Sequence, residues 1–248
     1  MRKQIVAGNW KMNGSNELLN SFVPALAEEA KQSQAEILVC PPALFLGDMR
    51  RLAGEYLLVG AQNCHEAVSG AFTGEISADM LADMQLSHVL VGHSERRAIY
   101  GETDALIAAK TKAALNAGLT AVLCVGETLE EREAGRTLDV VLGQVSAVVE
   151  QLTLADWANL VVAYEPVWAI GTGKTASSEQ AQDVHQAIRA ALAEYSPEHA
   201  DAMRILYGGS VKADNAAELF ACPDIDGGLV GGASLNSDEF ISICRSAN

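Results

Sequence analysis

Short apolar runs, many rich in β-branched residues, recur along the whole chain. They fall at residues 4–7, 37–40, 57–59, 89–91, 120–125, 160–164 and 203–207, with a glycine-rich eighth at 228–230. Most are too short for helices and too continuous for strands with one wet face. They predict strands buried on both faces, as in a parallel sheet. Helical periodicity fills the intervals. Leu138, Val141, Leu142, Val145, Val148, Val149 and Leu152 lie on one face of a 3.6-residue period. Ser177 and Gln180 form a capping box ahead of Ala181, Val184, Ile188, Ala191, Leu192 and Tyr195. Ser15 can cap a first helix carrying Leu18, Leu19, Phe22, Val23 and Leu26. Pro24 interrupts that pattern and has no N–H for the ladder, which predicts a kink or a helix start displaced to near Asn20.

Parallel strands need crossover helices, so eight strand–helix units in 248 residues predict an α/β fold, a closed (β/α)8 barrel of eight parallel strands with outer helices. An open doubly wound sheet is the alternative. The glycine fingerprint expected after its first strand is missing, because that strand runs into Gly8-Asn9-Trp10-Lys11. No linker or low-complexity segment divides the chain, so one catalytic domain over residues 1–248 is expected.

In such a barrel the chemistry lies at the C-terminal strand ends. Those ends here carry Asn9 and Lys11, Gln62 and Asn63, His93 to Glu95, Glu127, Glu165, Ser210, and Gly231 with Gly232. Glu165 closes an apolar run and is flanked by Tyr164, Pro166, Val167 and Trp168. Partial desolvation there would raise its pKa and make it a stronger base, whereas a solvated loop glutamate would be inert. His93 precedes Ser94-Glu95-Arg96-Arg97; a helical turn starting there would disfavour imidazolium and leave a neutral ring able to donate to a carbonyl oxygen. His65, His88, His185 and His199 read as loop, strand-start or helix-face residues.

Composition sharpens the picture. A net charge of −15 repels nucleic acid and anionic membranes, and would repel a phosphorylated substrate too. An anion site must therefore be built locally. Lys11 is the obvious positive charge, and the pairs Gly208-Gly209 (before Ser210) and Gly231-Gly232 let backbone amides approach an anion just ahead of helical patterns. Residues 168–175, with apolar Ile170 in the middle, suit a lid that closes over a ligand. The N-terminus lacks the apolar stretch of a secretory leader, and no run approaches the roughly 18 apolar residues of a membrane span. Five scattered cysteines with no CxxC pair indicate neither zinc nor a disulfide framework, and a reducing cytoplasmic setting is expected. Cys124, beside the site, reads as a packed thiol.

These stretches, together with Gly60-Ala61-Gln62-Asn63, Gly70-Ala71-Phe72-Thr73-Gly74-Glu75, Cys124-Val125-Gly126-Glu127, residues 163–173 and Tyr207-Gly208-Gly209-Ser210-Val211, closely resemble triosephosphate isomerase over essentially the full chain. The resemblance implies a TIM barrel that interconverts dihydroxyacetone phosphate and D-glyceraldehyde 3-phosphate in glycolysis and gluconeogenesis, with no metal and no organic cofactor. It implies Glu165 as catalytic base, His93 as electrophile, and Lys11 and Asn9 as groups that bind substrate and stabilise an enediolate. It also implies a phosphate grip of Gly171, Ser210, Gly231 and Gly232, with Glu95 orienting Lys11. A homodimer is implied as well, with the loop from Ala67 to Glu75 docking near the partner's site; folding onto its own barrel is the alternative for that loop. A different phosphate-binding barrel, such as a phosphoribosyl isomerase, would share the glycine pairs but gives no reason for the lid sequence or for His93 together with Lys11. A non-enzymatic barrel would be expected to have lost Glu165 or Lys11.

Overall fold

The computed structural model describes residues 2–170 and 175–247. Eight parallel strands close into a barrel in sequence order: β1 (Ile5–Asn9), β2 (Glu36–Cys40), β3 (Leu58–Ala61), β4 (His88–Val91), β5 (Thr120–Val125), β6 (Leu160–Tyr164), β7 (Arg204–Tyr207) and β8 (Gly227–Val230). Pairing of Ile5 through Gly8 with Gly227 through Val230 shuts the ring. Outside it lie α1 (Asn16–Gln32), α2 (Leu46–Ala53), α3 (Ala78–Asp83), α4 (Ser94–Tyr100), α5 (Asp104–Asn116), α6 (Leu129–Glu133), α7 (Thr137–Val149), α8 (Ser178–Tyr195), α9 (Pro197–Ala202), α10 (Ala216–Phe220) and α11 (Ser237–Arg245).

The strands read as continuous apolar runs because both of their faces are buried. Ile5, Ala7, Leu38, Leu90, Val122, Val161, Ala163, Leu206 and Leu229 fill the barrel interior. Their alternating neighbours, including Val6, Ile37, Val39, Val89, Leu123, Val162 and Ile205, face the helices and meet Phe22, Leu26, Ile107, Val145, Ile188 and Phe240. The same period of two places functional groups. Counting inward positions along β1 gives Ile5, Ala7, Asn9; along β6 it gives Val161, Ala163, Glu165. Both polar residues thus stand over the C-terminal mouth of the interior.

Most helix signals act where expected. Ser15 accepts the Leu18 N–H, and the Ser177–Gln180 capping box is complete. Leu138 departs from its expected face: it lies in the first turn of α7 and is exposed, and the helix ends at Val149, before Leu152. Pro24 does not displace the start of α1, which runs through it from Asn16. Asn20 and Pro24 both face solvent, so water can satisfy the Asn20 carbonyl that the missing N–H leaves over.

The opposite end of the barrel is tied by ion pairs. Asp226 accepts from Arg2 Nε at 2.6 Å and Arg189 Nη2 at 2.7 Å, and Arg204 reaches Glu36 at 2.8 Å. Two histidines are buried without a use in the chemistry, His88 at the start of β4 and His185 on α8. Burial pushes each ring down to about 4, aided by nearby Arg204 for His88 and opposed for His185 by the Asp224 backbone. The unfolded chain titrates near 6.5, so between these values it binds more protons than the folded one. Stability is therefore complete above about pH 6.5 and falls as pH drops toward 4, by up to about 3 kcal/mol per histidine. Urea midpoints measured from pH 7 to 4.5 are expected to decline, and His88→Asn is expected to flatten part of that decline; an unchanged slope would remove His88 from the account.

Candidate active site

Glu165 sits immediately after β6 and is buried, with 2 % of its surface exposed. Its N–H continues the ladder to β5, donating to the Val125 carbonyl at 2.7 Å. Both carboxylate oxygens are engaged. Oε2 accepts the Ser94 N–H at 2.9 Å, and Oε1 lies 2.9 Å from His93 Nε2. Burial alone would push this carboxyl up. The His93 contact and hydrogen bond, the Ser94 amide and the Lys11 charge outweigh it and hold the group below the ordinary glutamate value. The expected upward shift from desolvation is thus overcome by partners that position alone does not reveal.

His93 caps α4. Gly92, at φ +72°, turns the chain out of β4, and the Nδ1 atom of His93 then accepts the Glu95 N–H at 3.2 Å. Burial disfavours charge on the ring, but the Glu165 carboxylate and its hydrogen bond lift His93 above the ordinary imidazole value. Against a second proton stands the Glu95 amide, whose hydrogen points at the very lone pair that proton would occupy. We assign the neutral tautomer with hydrogen on Nε2, donated to Glu165.

Lys11 adopts φ 51°, a left-handed conformation stabilised by its surroundings. Asn9 Oδ1 accepts the Lys11 N–H and Gln62 Nε2 donates to the Lys11 carbonyl, both at 2.9 Å. The ammonium reaches Glu95 Oε1 at 2.7 Å. With its oxygen committed to the turn, Asn9 can offer a ligand its Nδ2 donors.

Asn9, Lys11, His93 and Glu165 line one cavity of about 460 Å³ with Ile170, Gly208 to Lys212, and Gly231 to Ala233. Gly208 and Gly209 are sterically required, whereas a Cβ at Gly231 or Gly232 would meet no clash. A Cβ at Gly208 would lie 2.9 Å from Glu165 Cγ, and one at Gly209 would lie 2.2 Å from the Tyr207 hydroxyl oxygen. A 3₁₀ turn, Gly232–Leu235, starts directly after Gly231, whereas α10 begins only at Ala216, so Gly208-Gly209 opens a loop and not a helix. Ser210, Gly231 and Gly232 thus line the same cavity as the carboxylate. Gly171 lies outside the described residues, as does the middle of the expected lid; Ile170 is half-buried against the cavity.

Two further groups belong to the strand-end set but have contacts that the sequence does not specify. Ser94 acts through its amide, which any residue would supply. Glu127 is fully buried and its Oε1 accepts from Tyr164 Oη at 3.1 Å and Trp168 Nε1 at 2.9 Å, with Arg132 stacked over the Trp168 ring at 4.4 Å. Glu127 was placed among the polar strand ends, but nothing in the sequence joined it to Trp168. The Cys124 thiol is buried and pushed well above its ordinary value, chiefly by burial and then by the Glu165 charge, which suits a packed thiol. Among the described residues no group of histidine, cysteine and carboxylate side chains could hold a metal ion.

A closed (β/α)8 barrel with a buried carboxylate, a histidine and a lysine at its C-terminal mouth, lining one pocket with two glycine pairs, is the architecture of a barrel enzyme whose site suits a small anionic substrate. Comparison with known proteins narrows the class. The family model described as triosephosphate isomerase matches residues 4–247. Triosephosphate isomerase from Alcanivorax borkumensis is 57 % identical over 246 residues, 99 % of each chain. Those from Hydrogenovibrio crunogenus and Dechloromonas aromatica are each 55 % identical, over 100 % of this chain and 99 % and 100 % of theirs. The chain belongs to the triosephosphate isomerase family, and its reaction is the interconversion of dihydroxyacetone phosphate and D-glyceraldehyde 3-phosphate, a step of glycolysis.

The backbone under Glu165 gives a direct test of this geometry. A Cβ on Gly126 would lie 1.8 Å from the Glu165 carbonyl oxygen. Gly126→Ala must push the two backbone segments apart, costing about 1–3 kcal/mol of stability and roughly a hundredfold in turnover if the carboxylate shifts by about 1 Å. Thermal melting and steady-state rates check this; a variant with normal kcat would show that the contact does not set the carboxylate.

Proposed function

We propose that Glu165 carries out the isomerisation by moving a proton between adjacent carbons of the triose through an enediolate, with residues 1–248 acting as one catalytic unit. The observation that carries this reading is the engagement of both Glu165 oxygens by His93 and Ser94 at the cavity wall. A substrate carbonyl oxygen that takes the His93 Nε2 hydrogen removes it from Glu165. The same event then polarises the carbonyl and frees the base, so binding and activation are coupled. Abstraction of the proton α to that carbonyl puts negative charge on oxygen, which His93 and Lys11 stabilise as it develops, with Asn9 adding a neutral donor. Returning the proton to the neighbouring carbon lets one carboxylate serve both directions.

The phosphate is gripped by Ser210, Gly231 and Gly232, with Gly171 as a further contact from the lid. Backbone donors suit this role on a chain of net charge −15, because they bring positive potential to one place without changing the acidic surface. Glu95 holds the Lys11 ammonium in place. The reaction as written uses no metal and no organic cofactor.

A homodimer is the second part of the proposal. The loop from Ala67 to Glu75 is exposed along most of its length; its base is tied by His65 N–H to the Ile76 carbonyl at 2.8 Å, and Phe72 lies tilted against the His65 ring, with 4.2 Å between centroids. Beside it, Met12 is 95 % and Leu44 89 % exposed, and a second cavity of about 390 Å³ is lined by Asn9, Lys11, Glu95 and Tyr100. That cavity shares Lys11 and His93 with the first, so a partner loop seated there would abut the active site. No helix among the described residues is long and apolar enough to cross a membrane. We place the enzyme in the cytoplasm, where its free cysteines would stay reduced, with neither nucleic acid nor membrane as a partner.

Two measurements test these readings. Glu165→Gln is expected to lower kcat by about 10²- to 10⁴-fold while inorganic phosphate still inhibits competitively with unchanged affinity; undiminished turnover would remove the base. Sedimentation at micromolar concentration is expected to give twice the chain mass, and a stable monomer would contradict the dimer.

A further inference from the structure

The carboxamide of Gln144, in the middle of α7, makes two hydrogen bonds to a single residue. Its Oε1 accepts the Gly126 N–H at 2.8 Å, and its Nε2 donates to the Gly126 carbonyl at 3.2 Å. Gly126 is the residue whose missing Cβ lets the Glu165 carbonyl approach. On either side of it the β5–β6 ladder is extended, by Glu165 N–H to the Val125 carbonyl and by Val167 N–H to the Glu127 carbonyl at 3.2 Å. Pairing with β4 stops at Val91 opposite Leu123, so β4 offers nothing to the peptide groups of Gly126 three residues further on. The Gln144 side chain supplies both the acceptor and the donor that a neighbouring strand would have supplied.

We infer that Gln144 is a positioning residue for the isomerisation: by clamping both peptide groups of Gly126 it fixes the backbone against which Glu165 rests, and so sets the carboxylate at hydrogen-bonding distance from His93. The inference rests on the reading of Glu165 as the base. Gln144 does not line the substrate cavity, so it acts only through Gly126. A merely structural glutamine would support α7 packing and leave the carboxylate where it is.

The experiment uses the full chain with Gln144→Leu and Gln144→Glu. Gln144→Leu removes both bonds and is expected to lower kcat roughly ten- to hundredfold, while the inhibition constant of inorganic phosphate, which reports the glycine grip alone, stays within about twofold of the parent. Gln144→Glu keeps an acceptor for the Gly126 N–H. Ionised, it turns a second oxygen toward the Gly126 carbonyl; protonated, it restores a donor there. The ratio of its kcat to that of the parent should therefore rise as pH falls through the carboxyl range, and taking the ratio cancels ionisation of the substrate. Proton NMR of the His93 Nε2 hydrogen gives a readout independent of turnover: a downfield resonance in the parent, shifted upfield in Gln144→Leu. Parental kcat and an unmoved resonance in Gln144→Leu, or a pH-independent ratio for Gln144→Glu, would overturn the positioning role. If instead Glu165→Gln retains turnover, the base assignment fails, and the resonance still reports whether Gln144 holds the carboxylate.

Discussion

The site depends on one buried carboxylate held by two hydrogens, the Nε2–H of His93 and the N–H of Ser94. An ionised carboxylate with so little access to water is tolerable only when its oxygens are satisfied, and here each oxygen has one donor. The partners come from the turn between β4 and α4, while the carboxylate comes from the end of β6, two strands away. Closing the barrel is what brings them together. His93 faces Glu165 with one nitrogen and the Glu95 amide with the other, so the state of the ring and the state of the base are joined through a single hydrogen.

Precision of this kind is built from backbone. Glycine at 126 and 208 removes Cβ atoms that would collide with Glu165, and Gln144 secures the first of these from outside the barrel. Lys11 is held in a similar way, through a left-handed backbone bracketed by Asn9 and Gln62 and an ammonium bound to Glu95. Part of the hold on Lys11 and Glu165 thus comes from groups outside the lining of the first cavity: Gln62 and Glu95 for the lysine, Ser94 and the Gly126–Gln144 pair for the carboxylate.

Much of this architecture was legible in the chain. Strands buried on both faces leave unbroken apolar runs, and their spacing allowed only crossover helices between them. Polar residues where those runs stop, such as Asn9, His93 and Glu165, marked the mouth of the barrel. What stayed hidden depends on contacts across the fold. Gln144 sits on a half-buried helix position whose amide has no local signature, and the link from Glu127 to Trp168 joins the end of β5 to the segment after β6. The direction in which Glu165 is shifted was also hidden, because burial was visible in its neighbours and the donors that outweigh it were not. Pro24 misled for a simpler reason: a proline on the wet face of a helix leaves its carbonyl to water, so α1 begins at its serine cap regardless.

The central claim, that hydrogen moves between carbons as a proton carried on Glu165, is tested most directly by a single turnover of dihydroxyacetone phosphate in deuterium oxide. A carboxyl group exchanges its proton with solvent, so the account predicts deuterium at carbon 2 of the D-glyceraldehyde 3-phosphate formed. Product wholly free of deuterium, as direct hydride transfer between the carbons would give, would contradict it.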